Sequence, residues 1–126
     1  MKRVISLLCI LALTVGCLFV LVSCGSTPNS SPKEAEMALK SAGYSVGYTA
    51  YEEYTYVRGS SFSEDYIEIY YFNTEADAQD QYSDWMSDYE DEKMLADMMG
   101  IDLGYEVGIS GTYVWKGTAA AIKAAK

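Results

Sequence analysis

Histidine is absent from the sequence. The commonest general base and the commonest metal ligand are therefore missing. Cysteine occurs three times, as Cys9, Cys17 and Cys24, and never in a Cys-x-x-Cys spacing. Cys9 and Cys17 lie inside an apolar N-terminal run, so a chain trimmed after that run keeps Cys24 alone. It then has no internal disulfide and no cysteine-based metal site. No G-x-S-x-G and no phosphate-binding glycine loop occurs. Ser30-Ser31-Pro32-Lys33 fits S-x-x-K, but that chemistry needs a much larger fold and two further motifs.

Positive charge is scarce as well. Nine lysines and arginines face 18 acidic residues. All the acid follows Cys24, against seven cations, which gives that part a balance of −11. Such a surface repels phosphate backbones and anionic lipid heads, so nucleic acid is excluded as an expected partner. The charge has a plain use in solubility. Its sharper use is attraction of a cationic partner or of divalent ions.

What the sequence does have starts at its beginning. Lys2-Arg3 precede an uncharged apolar run from Val4 to Val22. A positive start before an apolar segment is the pattern of a secretory signal, with the cations held on the cytoplasmic side. The run has about 20 residues, enough to span a bilayer as an uncleaved anchor. Its end decides between the two. Leu21-Val22-Ser23-Cys24 resembles the lipobox of bacterial lipoproteins: an aliphatic residue, a second small or aliphatic one, a small one, then cysteine.

The resemblance covers the leader only. It implies a signal peptide over residues 1–23, cleavage between Ser23 and Cys24, and a diacylglyceryl group on the Cys24 thiol. Acyl chains such as palmitate would then hold the protein to the cell membrane, with its domain on the extracytoplasmic side. Gly25 rather than Asp follows the cysteine, so an outer membrane is an open destination in a bacterium that has one. Residues 24–31, small, polar and proline-containing, read as a flexible tether. Residues 32–126 read as one small domain. Roughly 95 residues suffice for a modest core without disulfide or metal.

Within the domain, Ser31-Pro32-Lys33-Glu34 opens a helix with the letters of a capping box. Ala35, Ala38, Leu39 and Ala42 form its apolar face, and Gly43 stops it. Residues 44–57 read as one extended stretch interrupted by Glu52-Glu53, and Tyr66 to Phe72 as the next strand. Asn73 or Thr74 caps a second helix, with Ala78, Tyr82, Trp85, Met86 and Tyr89 facing inward. Asp77, Asp80, Asp84, Asp88 and Asp91 face outward. A separate short helix is expected over Glu92 to Met99, then strands near Ile101–Ile109 and Thr112–Lys116 and a terminal helix. The expected architecture is α+β in the order αββαββα: a two-layer sandwich of a four-stranded antiparallel sheet with its helices on one face.

Twelve tyrosines lie between Tyr44 and Tyr113. Tyrosine packs well in strands, so many need no further explanation. It is also the residue of recognition surfaces, because it offers contact area at low entropy cost. Tyr54, Tyr66, Glu68 and Tyr70 are the candidate binding face. The aspartate stripe lacks the glycine-containing loop of a calcium site, and helical spacing splays carboxylates apart. No metal, cofactor or catalytic residue is nominated. The expected role is a membrane-anchored binding or interaction module, facing an envelope protein or a cell-wall component. The alternatives are a small envelope hydrolase using carboxylates and an acidic inhibitor or immunity-type protein.

Overall fold

The structure is a computed structural model and describes residues 27–126. The leader, the lipobox Leu21–Cys24 and the start of the tether lie outside the described residues. The elements are α1 (Pro32–Ser41), β1 (Ser45–Ala50), β2 (Tyr54–Ser60), β3 (Tyr66–Phe72), α2 (Glu75–Met99), β4 (Glu106–Ser110), β5 (Tyr113–Gly117) and α3 (Ala119–Ala124). The five strands form one open antiparallel sheet in the order β1-β2-β3-β5-β4.

The fold is α+β as expected, but the sheet has five strands and not four. The stretch 44–57 is a hairpin. Glu52-Glu53, poor strand formers, sit in a tight turn in which the Tyr51 N–H donates to the Tyr54 carbonyl (2.8 Å). The chain reverses there, pairing Ala50 with Thr55.

The helices also cover both faces rather than one. Side chains alternate across each strand. Val57, Ile67, Ile69, Tyr71, Tyr113 and Trp115 fall on the first face. There they pack with Ala35 and Leu39 of α1 and Ala121 and Ile122 of α3. Tyr70, Phe72, Ile109 and Val114 fall on the second face and pack under Ala78, Tyr82 and Trp85 of α2. The result is three layers with β3 in the middle. Its residues are buried on the first face and half-buried on the second.

The long second helix is continuous from Glu75 to Met99, with no break at Glu92. Thr74 starts it, its hydroxyl accepting the Asp77 N–H (3.2 Å). Gly100, at φ 69°, ends it, and the Ile101 N–H returns to the Ala96 carbonyl. The capping box expected at α1 does not form; instead the Ser31 N–H donates to Asn29 Oδ1 (2.9 Å).

Residues before α1 are docked on the domain. Pro28 is fully buried. The hydroxyls of Tyr113 and Tyr71 donate to the carbonyls of Pro28 (3.0 Å) and Asn29 (2.6 Å). The Asn29 N–H donates to the Ala125 carbonyl (2.8 Å). The chain therefore enters at the end of the sheet where β3 finishes and β5 starts.

At the other end, β5 and β3 approach closely. A Cβ on Gly117 would run into the Tyr66 carbonyl oxygen and the Ile67 backbone. Thr118 continues this contact: its N–H donates to the Tyr66 carbonyl (2.9 Å) and its hydroxyl accepts the Tyr66 N–H (3.3 Å). Gly117→Ala should lower stability by about 1–3 kcal/mol through overpacking against backbone that cannot move aside. At Gly47 an added Cβ meets nothing, so Gly47→Ala should leave stability unchanged or raise it by about 0.4–1 kcal/mol. Paired denaturant titrations measure both; equal destabilisation would refute the assigned packing at Gly117.

Candidate functional site

α2 lies over β3, β5 and β4 on the second face. Among the described residues, no helix lies on the β1–β2 half of that face. The four residues expected to form a binding face all fall on this side of the sheet and all are half-buried. Tyr54 and Tyr70 touch, with ring centroids 5.2 Å apart. Tyr70 also meets Tyr56 at 5.0 Å and Trp85 of α2 at 5.2 Å. Tyr51 extends the row from the hairpin turn, 4.9 Å from Tyr54. These rings form an aromatic shelf along the foot of α2, open toward β1.

Glu68 is the polar centre of the shelf. It accepts the Tyr56 hydroxyl (2.7 Å) and lies 4.0 Å from Lys116 Nζ. That ammonium also sits 5.2 Å from the Trp85 ring, within cation–π range. Glu68 and Lys116 face each other across the β3–β5 pairing. Their side chains keep about a third of their surface in water (31% and 29%), so the pair contributes little to stability. It stays available to an incoming polar group.

Tyr66 belongs elsewhere. It stands four residues from Tyr70, about 13 Å along the strand. There the charges of Glu68 and then of Glu92 from α2 reach it. Glu92 accepts the Tyr105 hydroxyl (2.7 Å), and Tyr105 packs edge-on against Tyr89 (5.5 Å). The structure thus gathers Tyr54, Glu68 and Tyr70 and places Tyr66 in a neighbouring cluster. Tyr56, Trp85 and Lys116 complete the shelf. Tyr56 was findable by its period-two spacing from Tyr54. Trp85 read as an inward-facing core residue, and Lys116 offered no signal before the strand register was known.

A second concavity of about 280 Å³ lies between the end of α2 and the 101–105 segment. Asp97, Asp102 and Glu106 line it. Asp97 is paired with Lys93 (3.6 Å), and Asp102 accepts the Gly104 N–H (3.3 Å). Among the described residues, no three acidic or thiol groups are placed to hold a metal ion. No described helix is long and apolar enough to cross a membrane. No family model matches the chain, and no curated protein or solved structure matches it significantly.

The tyrosines supply a measurable property. Burial, then the hydrogen bond to Glu68 and its charge, push the Tyr56 hydroxyl well above its ordinary value of 10.0. Tyr71 is pushed up by burial and by Tyr113 and Tyr48, and Tyr105 by burial and its bond to Glu92. Burial likewise raises Tyr44, Tyr66, Tyr70 and Tyr113. A raised folded value means that the folded state holds the proton after the unfolded chain has released it. The stabilisation is complete below pH 10 and is lost as pH rises toward the folded values. Ultraviolet titration of phenolate should show these seven hydroxyls ionising late, together with unfolding. Uniform ionisation of all twelve tyrosines near pH 10 with the fold intact would contradict the shelf's packing.

Proposed function

We propose that the protein is a membrane-anchored extracytoplasmic lipoprotein whose domain is a small binding module, with the aromatic shelf as its binding face. The shelf carries the reading. Four rings, Tyr54, Tyr56, Tyr70 and Trp85, line a step between sheet and helix, next to a partly solvated Glu68–Lys116 pair. Tilted and edge-on rings beside an anion and a cation suit a flat, polar-edged ligand such as a sugar ring or a peptide of the cell wall. An envelope protein presenting such groups would fit equally.

The anchor rests on the lipobox resemblance. Because Pro28 is buried, only the residues before it can act as tether. Four Cα steps from Cys24 to Pro28 span at most about 14 Å. A lipid on Cys24 would therefore hold the domain close to its membrane, with the Tyr71–Tyr113 end nearest. A bilayer takes up two acyl chains with about 0.8 kcal/mol per buried CH₂, enough for stable anchoring.

Two experiments test the two halves. Cys24→Ser should abolish metabolic labelling with palmitate and cause precursor to accumulate; labelling and processing that continue unchanged would refute the anchor. For the shelf, the probe is soluble fragments of purified cell wall, read by tryptophan emission. Trp85 should report binding, and Trp85→Phe should remove the response, since Trp115 is buried on the opposite face. Tyr70→Ala should weaken binding by about tenfold or more, the usual cost of truncating an aromatic anchor. Binding that Tyr70→Ala leaves intact would move the site off the shelf.

A further inference from the structure

The solvent face of α2 changes character along its length. The aspartate stripe from Asp77 to Asp91 continues, at the same steps of three and four residues, as Leu95 and Met98. Every one of these residues is exposed. The stripe from Asp77 to Met98 is about 32 Å long at helical rise.

Its apolar end is unusually open. Leu95 and Met98 are 60% and 78% exposed, Met94 and Met99 beside them 63% and 71%, and Ile101 just past the helix 57%. Single exposed apolar residues are ordinary, but five adjoining ones mark a contact surface. Three of the five are methionines, whose flexible, polarisable side chains adapt to partners of varied shape.

The charges around this patch select the partner. Asp91, Asp97 and Asp102 border it, and Lys93, the cation beside it among the described residues, is already paired with Asp97. The last turn of α2 contains no basic residue, so the negative end of the helix dipole has no cation of its own. A second copy would bring another strongly acidic surface against this one. A bilayer is disfavoured too, since the N-terminal entry at Tyr71 and Tyr113 is at the end of the sheet away from Glu106, where α2 finishes.

We propose that the outer face of α2 is a docking track for a cationic amphipathic peptide segment. Apolar side chains of that segment seat on Met94, Leu95, Met98 and Met99. Its lysines or arginines lie along the aspartates and beside the carbonyl end of the helix. Recognition is of a class rather than of one sequence, because methionines and exposed carboxylates impose little shape. The track is separate from the aromatic shelf, so either can fail without the other.

The test uses the full-length chain in phosphatidylcholine nanodiscs, with empty nanodiscs as the blank. The probe is a short fluorescent Leu/Lys amphipathic helix, followed by anisotropy. Leu95→Gln with Met98→Gln keeps helix propensity while removing the apolar seat. Asp84→Asn with Asp88→Asn and Asp91→Asn removes the track. Each set should weaken binding by about tenfold or more, and added salt should weaken the parent complex further. Circular dichroism should show both variants folded. Three results would overturn the proposal: unchanged affinity in both folded variants, equal affinity for an oligolysine without apolar residues, or dimerisation of the parent chain that Leu95→Gln with Met98→Gln abolishes.

Discussion

The pairing of β3 with β5 is the contact on which the rest of the structure depends. It joins residues 42 to 50 positions apart, Tyr71 with Tyr113 and Ile67 with Gly117, and it unites the three-stranded β1–β2–β3 meander with the β4–β5 hairpin, which could not stand alone. A two-stranded unit is marginal in water. Once joined, the five strands offer both faces to helices. The closeness of the join is set by Gly117, and Thr118 extends it by two hydrogen bonds to Tyr66 before starting α3. The aromatic shelf depends on the same pairing. Glu68 reaches Lys116 only because these strands are neighbours, and Trp85 is delivered to Tyr70 by the helix that bridges them.

The parts legible in the sequence are those governed by local rules. Thr74 as a cap, Gly100 as a stop, the inward and outward stripes of α2 and the alternation in β3 each follow from residues a few positions apart. The β1–β2 hairpin was hidden by parity. Tyr48 and Tyr54 are both even-numbered and look like one strand face, but the turn at Glu52-Glu53 sends them to opposite faces. With that turn missed, the sheet loses a strand and the tyrosines of β2 appear to belong with those of β1. The two-sided covering was hidden for a related reason. Aromatic residues occupy both parities of β3, and a tyrosine does not declare whether it meets a helix or water.

The continuity of α2 was also hard to read. Beyond Asp91 the apolar residues move to the outer side, a pattern that resembles the start of a new element. The hydrogen-bonding backbone does not register that change. Lys93, Met94, Leu95 and Ala96 are all good helix formers, so propensity carries the helix onward where amphipathicity would have ended it. The Glu92–Tyr105 bond then fastens the extension to the sheet side. The candidate site was half legible for similar reasons: Tyr54, Glu68 and Tyr70 share a parity rule, whereas their partners come from other elements.

The docking of Pro28 and Asn29 also has a mechanical side. Two phenolic hydroxyls and the Ala125 carbonyl grip the entering chain, and the tyrosines stand on β3 and β5, away from the edges of the sheet. A pull on the beginning of the domain is therefore delivered to its stiffest part. The edge strand β1 bears none of it directly, so the sheet does not unzip from its margin. Yielding starts instead with rupture at the grip, which frees a few residues while leaving the core, the shelf and α2 intact.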